Sequence, residues 1–380
     1  MIGTSGKLTA LDGRNVALTG GGGFIGERVA AVLAGAGARV TALLRSRHGA
    51  ARLRALGATV AVVPLSGADD RLVRALEGRD AVVHAAYDMR AGAAENMAAF
   101  DALFEAAGRA GVGRFVQLSS VVVYDDWPGG VLNEDSAVSD GIAGSYRQAK
   151  IEMERRLLAG GFEAAILQPT IVYGPGSALW TTAPMAALAS GGVVLPDPCG
   201  NCPAVHVDDV AAAVALALAA GDIGRERFLI SGPDAPGWQA FFEAYRSLVG
   251  RGEVRLVPAG QLHARLGAAA ATTAAATAAA GPAPGPGLAA RVSARARRLV
   301  GSRRFERMLS AARRLRRGGL RWPDAQALAL YESSPVISIE KAAMRLGYVP
   351  RVDFAEGISR LGGTSRAAFR AQGADRMNKA

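Results

Sequence analysis

"VALTGGGGFIG" spans residues 16–26 and decides the fold class of this chain. A short apolar run leads into glycines at positions 20, 23 and 26, and a helical pattern follows. Glycines in such a loop allow a tight turn and a close approach of the backbone to a pyrophosphate, whose charge the N-terminus of the next helix favours. We therefore predict a strand, a phosphate-binding loop containing Gly20, Gly23 and Gly26, and a helix, in that order.

The alternation of strand and helix patterns continues beyond the glycine loop. The further predicted strands are residues 39–45, 59–65, 80–86, 114–120 and 164–170, with helical spacing between them. Strands that alternate with helices are typical of βαβ units and a parallel sheet. The first 175 residues therefore predict an α/β domain.

The end of the second strand bears on the choice of cofactor. An acid about 20 residues beyond the glycine loop would hold the adenosine ribose hydroxyls of NAD. Arg45 stands there instead, and Arg47 follows closely. A guanidinium suits the 2′-phosphate of NADP, although an exposed arginine also needs no ligand. We favour NADP and keep NAD open.

The positive charge of the chain is concentrated in one segment. The formal net charge is +11, and residues 291–321 alone hold twelve arginines, no lysine and one acid, so the remainder is formally neutral. Within this segment, residues 303–317 have an apolar face at helical spacing. Such a helix suits a lid over the substrate site, or an anionic membrane surface. The arginines are not interleaved with a pattern of aromatic residues that could stack on bases, so we do not expect the segment to bind nucleic acid.

Localisation and metal binding are constrained by what the chain lacks. No run reaches the ~18 apolar residues of a membrane span, and the N-terminus shows no apolar secretory core. We expect a cytoplasmic protein, with peripheral membrane association through the arginine-rich segment as the alternative. Cys199 and Cys202 form a C-x-x-C pair near His206. A redox or zinc role is open to this pair, but without a second cysteine pair we favour free thiols and no metal.

"YRQAK" (residues 146–150) places a phenol and an ammonium four residues apart, on one face of a predicted helix. With the other motifs it makes the chain resemble the extended short-chain dehydrogenase/reductase family, in its epimerase/dehydratase-like branch. The resemblance covers about residues 14–260 and 335–362. The motifs that carry it are "TGGGGFIG" (19–26), "VVHAA" (82–86), "SSVVVY" (119–124), "YRQAK", "LQPTIVYGPG" (167–176) and "HVDDVA" (206–211).

The resemblance implies a Rossmann-type, doubly wound parallel sheet with a smaller, mixed C-terminal lobe. On that basis residues 1–175 are the dinucleotide-binding domain and residues 176–363 the substrate-binding lobe. The lobe contains a low-complexity linker (267–287) and the arginine-rich insertion (288–321). Residues 364–380 are expected to form a flexible tail.

The resemblance also assigns the site. Tyr146 would be the general acid/base, Lys150 would lower its pKa and hold the nicotinamide ribose, and Ser120 would bind the substrate oxygen. Asn96 would order a proton-relay water or the neighbouring helix. The cofactor-binding residues would be Gly20, Gly23, Phe24, Ile25, Gly26, Arg45, Ala85, Ala86, Tyr146, Lys150 and Pro169.

The chain departs from the family pattern at three positions, and the last two shift the expected substrate. Pro64 replaces an acid near adenine. Ile171 replaces an asparagine and Cys202 an arginine, both of which contact the diphosphate in nucleotide-sugar members. We therefore expect an NAD(P)-dependent reductase or dehydrogenase that acts on a less polar small molecule. The resemblance also leaves a homodimer open. A nucleotide-sugar epimerase or dehydratase, and a non-catalytic nucleotide-binding scaffold, are the alternatives. His206 is expected to be structural.

Overall fold

A computed structural model describes residues 9–67, 69–268 and 319–362. The chain divides into two compact units. The first takes residues up to Thr181, Cys202–Pro236 and residues from Ser334; the second takes Thr182–Asn201 and Gly237–Ser333. Most of the expected linker (from residue 269), the insertion up to residue 318, with its predicted helix 303–317, and the tail 364–380 lie outside the described residues. The assignment of substrate binding to residues 176–363 stays a prediction.

The strands of the described residues are, in chain order, β1 (Asn15–Thr19), β2 (Arg39–Leu44), β3 (Thr59–Val62), β4 (Ala81–His84), β5 (Arg114–Leu118), β6 (Val131–Leu132), β7 (Glu163–Pro169), β8 (Ile171–Tyr173), β9 (Gly191–Asp197), β10 (Ala204–His206), β11 (Arg225–Ile230), β12 (Glu253–Pro258), β13 (Gly319–Arg321) and β14 (Val336–Ile337). The α-helices are α1 (Phe24–Gly35), α2 (Ala50–Ala55), α3 (Asp70–Leu76), α4 (Ala93–Arg109), α5 (Tyr146–Leu158), α6 (Ala183–Ala189), α7 (Val207–Ala219), α8 (Trp238–Val249) and α9 (Ala325–Glu332). Residues 259–268 and 354–362 are also helical. Short 3₁₀ or π turns occupy Thr9–Leu11, Val121–Val123, Ala178–Thr182 and Ala342–Leu346.

The first unit is built on a seven-stranded parallel sheet with the order β3-β2-β1-β4-β5-β7-β11. The chain moves outward from β1 to β3, then returns to β4 and continues in the other direction. This is the doubly wound Rossmann arrangement, which confirms the predicted fold class. The carboxyl ends of β1 and β4 flank the point where the strand order reverses, where open α/β sheets bind ligands.

Two apolar layers cover the faces of this sheet. Val16 and Leu18 of β1 belong to one core cluster, with α1 and α7, whereas Ala17 belongs to the other, with α4 and α5. Alternate residues of a strand point to opposite faces, so β1 contributes to both layers. The central strands are buried throughout, as is typical of a parallel sheet covered by helices on both sides.

The second unit has its own three-stranded parallel sheet, with β9 between β12 and β13. Its aromatic core surrounds the fully buried Trp238, whose ring packs on Phe241 and Tyr331 and whose Nε1 donates to the Leu330 carbonyl at 3.0 Å. Across the described parts of the chain, none of the helices combines the length and the apolar character that a membrane crossing needs.

Candidate functional site

The glycine loop is packed so closely that side chains would not fit. Gly20 has a φ of +71°, and a Cβ there would lie 2.5 Å from the backbone carbon of Ala85 and 2.6 Å from the nitrogen of Ala86. A Cβ on Gly26 would collide with the Gly20 carbonyl. Helix α1 begins at Phe24, with Gly23 as its N-cap. The backbone amides of its first turn can donate hydrogen bonds to a bound anion. This cradle fits the pyrophosphate of a dinucleotide.

The remaining predicted cofactor residues lie around the same edge of the sheet. Ala85 follows β4, and its amide donates to the Thr19 carbonyl at 3.3 Å. Phe24 lies beside Gly176, because a Cβ on that glycine would be 3.3 Å from the Phe24 ring. Ile25 is half-buried against the core, and Pro169 is the last residue of β7.

Arg45 follows β2 directly and forms an ion pair with Asp88, in the loop after β4. Its Nη1 donates to Oδ2 of Asp88 at 2.7 Å, with 78% of the Arg45 side chain exposed. This hydrogen bond lowers the pKa of Asp88 below its ordinary value. Sequence reasoning did not identify Asp88, because the pairing joins residues from two different βα loops.

Asn96 is buried in the first turn of α4 and holds the loop of residues 88–92. Its Oδ1 accepts from the Asp88 amide at 2.8 Å, and its Nδ2 donates to the carbonyls of Asp88 (3.1 Å) and Gly92 (3.0 Å). These bonds use both the acceptor and the donor of the amide. They account for an ordering role at the helix start, while a proton-relay role stays a prediction.

Ser120, Tyr146 and Lys150 are brought together where β5 ends and α5 begins. Ser145 caps the helix by accepting from the Gln148 amide at 3.1 Å, so Tyr146 is its first residue. Lys150, one turn later, is 3% exposed and donates from Nζ to the Leu118 carbonyl at 2.7 Å. Its Nζ lies 5.7 Å from the centre of the Tyr146 ring. Ser120 lies close enough to the Tyr146 hydroxyl to lower its pKa.

Burial is the main cause of the pKa shifts of Tyr146 and Lys150. It raises the pKa of Tyr146 to about 12, an effect that the nearby Ser120 opposes. Burial also lowers the pKa of Lys150 to about 8, against the attraction of Glu154. The phenol is therefore protonated at neutral pH. The expected lowering of its pKa by Lys150 and an oxidised nicotinamide stays a prediction for the cofactor-bound enzyme.

Two further side chains lie in this cluster that sequence reasoning missed. The ring of Tyr87 meets that of Tyr146 edge to face at 4.8 Å, and the Lys150 Nζ lies 5.0 Å from its centre. His84 ends β4, where its Nδ1 lies 2.7 Å from Oγ1 of Thr19. Burial, together with the charge of Lys150, lowers the pKa of His84 to about 3. Both residues belong to or follow the "VVHAA" motif, which was the available signal.

His206 and the cysteines lie in structural settings. His206 is the N-cap of α7 and accepts from the Asp208 amide through Nδ1 at 3.2 Å. Asp209 accepts from the amides of Arg351 and Val352, each at 3.0 Å. Cys199 and Cys202 are free thiols, and burial raises the pKa of Cys202. Within residues 9–67, 69–268 and 319–362, no group of His, Cys, Asp and Glu is arranged to hold a metal ion.

Comparison with known proteins gives matches over most of the chain. A model of the NAD dependent epimerase/dehydratase family matches residues 16–230. A curated relative, the 4-hydroxy-2-methyl-3-oxo-4-farnesyl-3,4-dihydroquinoline-1-oxide ketoreductase of Stigmatella aurantiaca, is 27% identical over 232 residues, which cover 57% of this chain and 67% of the relative.

Two solved structures extend the comparison to the fold. The UDP-glucose 4-epimerase of Thermotoga maritima, with UDP-glucose, is 19% identical at a TM-score of 0.64, over 93% of this chain and 99% of that one. The dTDP-glucose 4,6-dehydratase of Streptomyces venezuelae, with NAD bound, is 22% identical at a TM-score of 0.64, over 93% and 97%. At these identities the likeness concerns the fold alone.

Proposed function

The chain belongs to the NAD dependent epimerase/dehydratase family, and we propose that it is an NAD(P)H-dependent reductase acting on a ketone of low polarity. The observation that carries this proposal is the cluster of Ser120, Tyr146 and Lys150 beside the glycine cradle. A pure nucleotide-binding scaffold has no need of this set.

The residues of the chain suit proton delivery to a carbonyl. A bound nicotinamide supplies the hydride for the carbonyl carbon. Ser120 donates a hydrogen bond to the carbonyl oxygen, and Tyr146 gives that oxygen its proton as charge develops there. A phenol with a pKa of about 12 is protonated at neutral pH, and this is the form that donates a proton when a ketone is reduced. The Lys150 ammonium stabilises the phenolate that remains.

The surroundings favour a substrate of low polarity. Ile171 opens β8 as a buried side chain, and Cys202 is also buried, at the two positions where the family's nucleotide-sugar members place polar groups. Large apolar side chains are exposed on loops and turns of the first unit: Met89 after β4 (75%), Ile142 before α5 (84%) and Leu179 after β8 (64%). The ketoreductase relative is named for a farnesylated quinoline substrate, which agrees in kind.

The second candidate is a nucleotide-sugar epimerase or dehydratase, because two of the similar structures are such enzymes. The test offers the purified chain NADPH with a panel of prenylated or aryl ketones, and separately UDP- and dTDP-glucose. We expect oxidation of NADPH with an apolar ketone, and its loss in Tyr146→Phe. Conversion of a nucleotide sugar without net cofactor turnover would favour the second candidate. Dinucleotide binding without turnover of either class would favour the scaffold.

The cofactor is a nicotinamide dinucleotide, with NADP as the proposed preference. Arg45 supports this preference because it is exposed directly beyond β2, with Arg47 also exposed nearby. Its pairing with Asp88 is a surface ion pair worth about 0–1 kcal/mol, so a 2′-phosphate can compete for the guanidinium. Titrating NADPH and NADH against the chain by fluorescence measures the preference, and tighter binding of NADH would reverse it.

Two partners are proposed from the sequence alone. A homodimer follows from the family resemblance, and sedimentation velocity measures it. Recruitment to anionic lipid rests on the predicted helix 303–317, and its test compares liposome flotation of the full chain with a deletion of residues 288–318. This deletion spares β13, which pairs with β9 in the second unit. Equal flotation of the two forms would remove the lipid proposal.

A further inference from the structure

Glu154 is a fully buried acid on α5, one helical turn beyond Lys150. It takes no part in the proton transfer proposed above. Residues four positions apart share one face of a helix. Burying an acidic side chain is costly unless it is hydrogen-bonded and paired, so its surroundings must compensate for the burial.

Donors from three strands or their ends converge on this side chain. The Ser119 hydroxyl, just past β5, donates to Oε1. Gln168 of β7 donates from Nε2 to both oxygens, at 3.0 and 3.2 Å. Arg227 of β11 donates from Nε to Oε2 at 2.7 Å. All these partners are donors and one is a cation, so the group they surround is an ionised carboxylate.

The bond to Ser119 connects Glu154 to the catalytic residues. Ser119 stands between Leu118, whose carbonyl accepts from Lys150, and Ser120, which lies close to Tyr146 and lowers its pKa. Its backbone is also fixed, because its amide donates to the Leu167 carbonyl at 2.8 Å. Glu154 therefore anchors the short segment 118–120, which contacts both Lys150 and Tyr146.

Glu154 also supplies negative charge near Lys150. The titratable and charged groups around the Lys150 ammonium are Tyr146 and Glu154 on its own helix, His84 and Tyr87 at the end of β4, and Arg227 of β11 beyond Glu154. His84 is uncharged at neutral pH because its pKa is about 3, and both tyrosines have raised pKa values. Within this group, the carboxylate is the charge that favours the ammonium.

We propose that Glu154 is a positioning residue for Tyr146 and Lys150. Its buried carboxylate keeps Lys150 charged at neutral pH and holds segment 118–120 in place next to Tyr146. The inference rests on the proposed function for its effect on catalysis. The charge state of Lys150, however, is a property of the chain that is measured without any substrate.

The test uses the scarcity of lysine in this protein. The full sequence contains four lysines, at positions 7, 150, 341 and 379. Labelling them with ¹³C at Cε gives four NMR signals, and Lys150→Met identifies the one of interest. We expect this signal to titrate near pH 8 in the wild type. In Glu154→Gln the midpoint should fall by about one pH unit or more, because an attractive charge has been removed.

Ser119→Ala is the matched control, because it removes one hydrogen bond and leaves the carboxylate charged. It should leave the Lys150 midpoint in place. An equal midpoint in Glu154→Gln and wild type would overturn the proposal. If Glu154→Gln does not fold, the double variant Glu154→Gln/Arg227→Met removes both charges of the pair, a change that buried ion pairs often tolerate. It should also lower the midpoint, and an unchanged value there overturns the proposal equally.

Activity adds a second, separable readout once a carbonyl substrate is known. The alkaline limb of kcat/KM should move to lower pH in Glu154→Gln by the same amount as the NMR midpoint, and should not move in Ser119→Ala. A chain that reduces no carbonyl compound yet shows the NMR shift would refute the proposed function and leave the electrostatic role of Glu154 standing.

Discussion

Replacing Gly20 by alanine should damage cofactor binding through two effects that a control variant separates. The first effect is conformational: Gly20 has a φ of +71°, which costs an alanine about 1–2 kcal/mol. The second is steric, since the new Cβ would lie 2.5–2.6 Å from the backbone of Ala85 and Ala86. Relieving such an overlap costs a further ~1–3 kcal/mol or displaces the loop. We expect a total loss of unfolding free energy of about 2–5 kcal/mol.

Gly57 provides the matched control, because its φ is +84° and a Cβ there meets nothing within 4 Å. Gly57→Ala should lose only the conformational part, about 1–2 kcal/mol, with unchanged dinucleotide affinity. Urea unfolding gives the stabilities, and fluorescence titration with NADPH gives Kd. For Gly20→Ala we expect Kd to rise at least tenfold, which is about 1.4 kcal/mol. If Gly20→Ala matched Gly57→Ala in both measurements, the close packing of the cradle would have no role in binding.

Three further outcomes follow from the same site. Arg45→Ala should raise the Kd of NADPH about tenfold, because one charge-assisted contact is lost, and should leave the Kd of NADH unchanged. Arg47→Ala is the variant for comparison. Equal effects of Arg45→Ala on the two dinucleotides would contradict a role in binding the 2′-phosphate. Asn96→Ala should lower the free energy of unfolding by about 1–3 kcal/mol and speed hydrogen exchange at the Asp88 amide, which loses its acceptor; unchanged exchange would show that the loop does not depend on Asn96. Reduction should decline as pH rises through about 8, because Lys150 loses its proton there; a rate that is level to pH 10 would show that the ammonium is dispensable.

The sheet could be predicted from sequence because its signals are local. The predicted strands at residues 39–45 and 114–120 are observed as Arg39–Leu44 and Arg114–Leu118, each starting at the expected residue. Buried parallel strands appear as continuous apolar runs, and the glycine loop fixes where the first helix begins. The short pairings of β6 with β14 and of β8 with β10 were not predicted, because strands of two or three residues have no period to detect.

The candidate site was predictable as a set of residue types and not as a network. Tyr146 and Lys150 share a helix, so their spacing was visible in the sequence. The pairing of Arg45 with Asp88 and the burial of Glu154 depend on how separate loops and strands meet. Such contacts leave no pattern in a single sequence. The high pKa of Tyr146 has the same origin, since burial by neighbouring elements decides it.

We propose that this chain transfers a hydride from NADPH to a ketone while Tyr146 supplies the proton. The most direct measurement supplies NADPH deuterated at both C4 positions with an apolar ketone and determines the deuterium at the carbinol carbon by mass spectrometry. We expect one deuterium per product with the wild type and none with Tyr146→Phe, although both proteins bind NADPH. Deuterium transfer at the wild-type rate by Tyr146→Phe, or no transfer by a wild-type protein that binds NADPH, would contradict it.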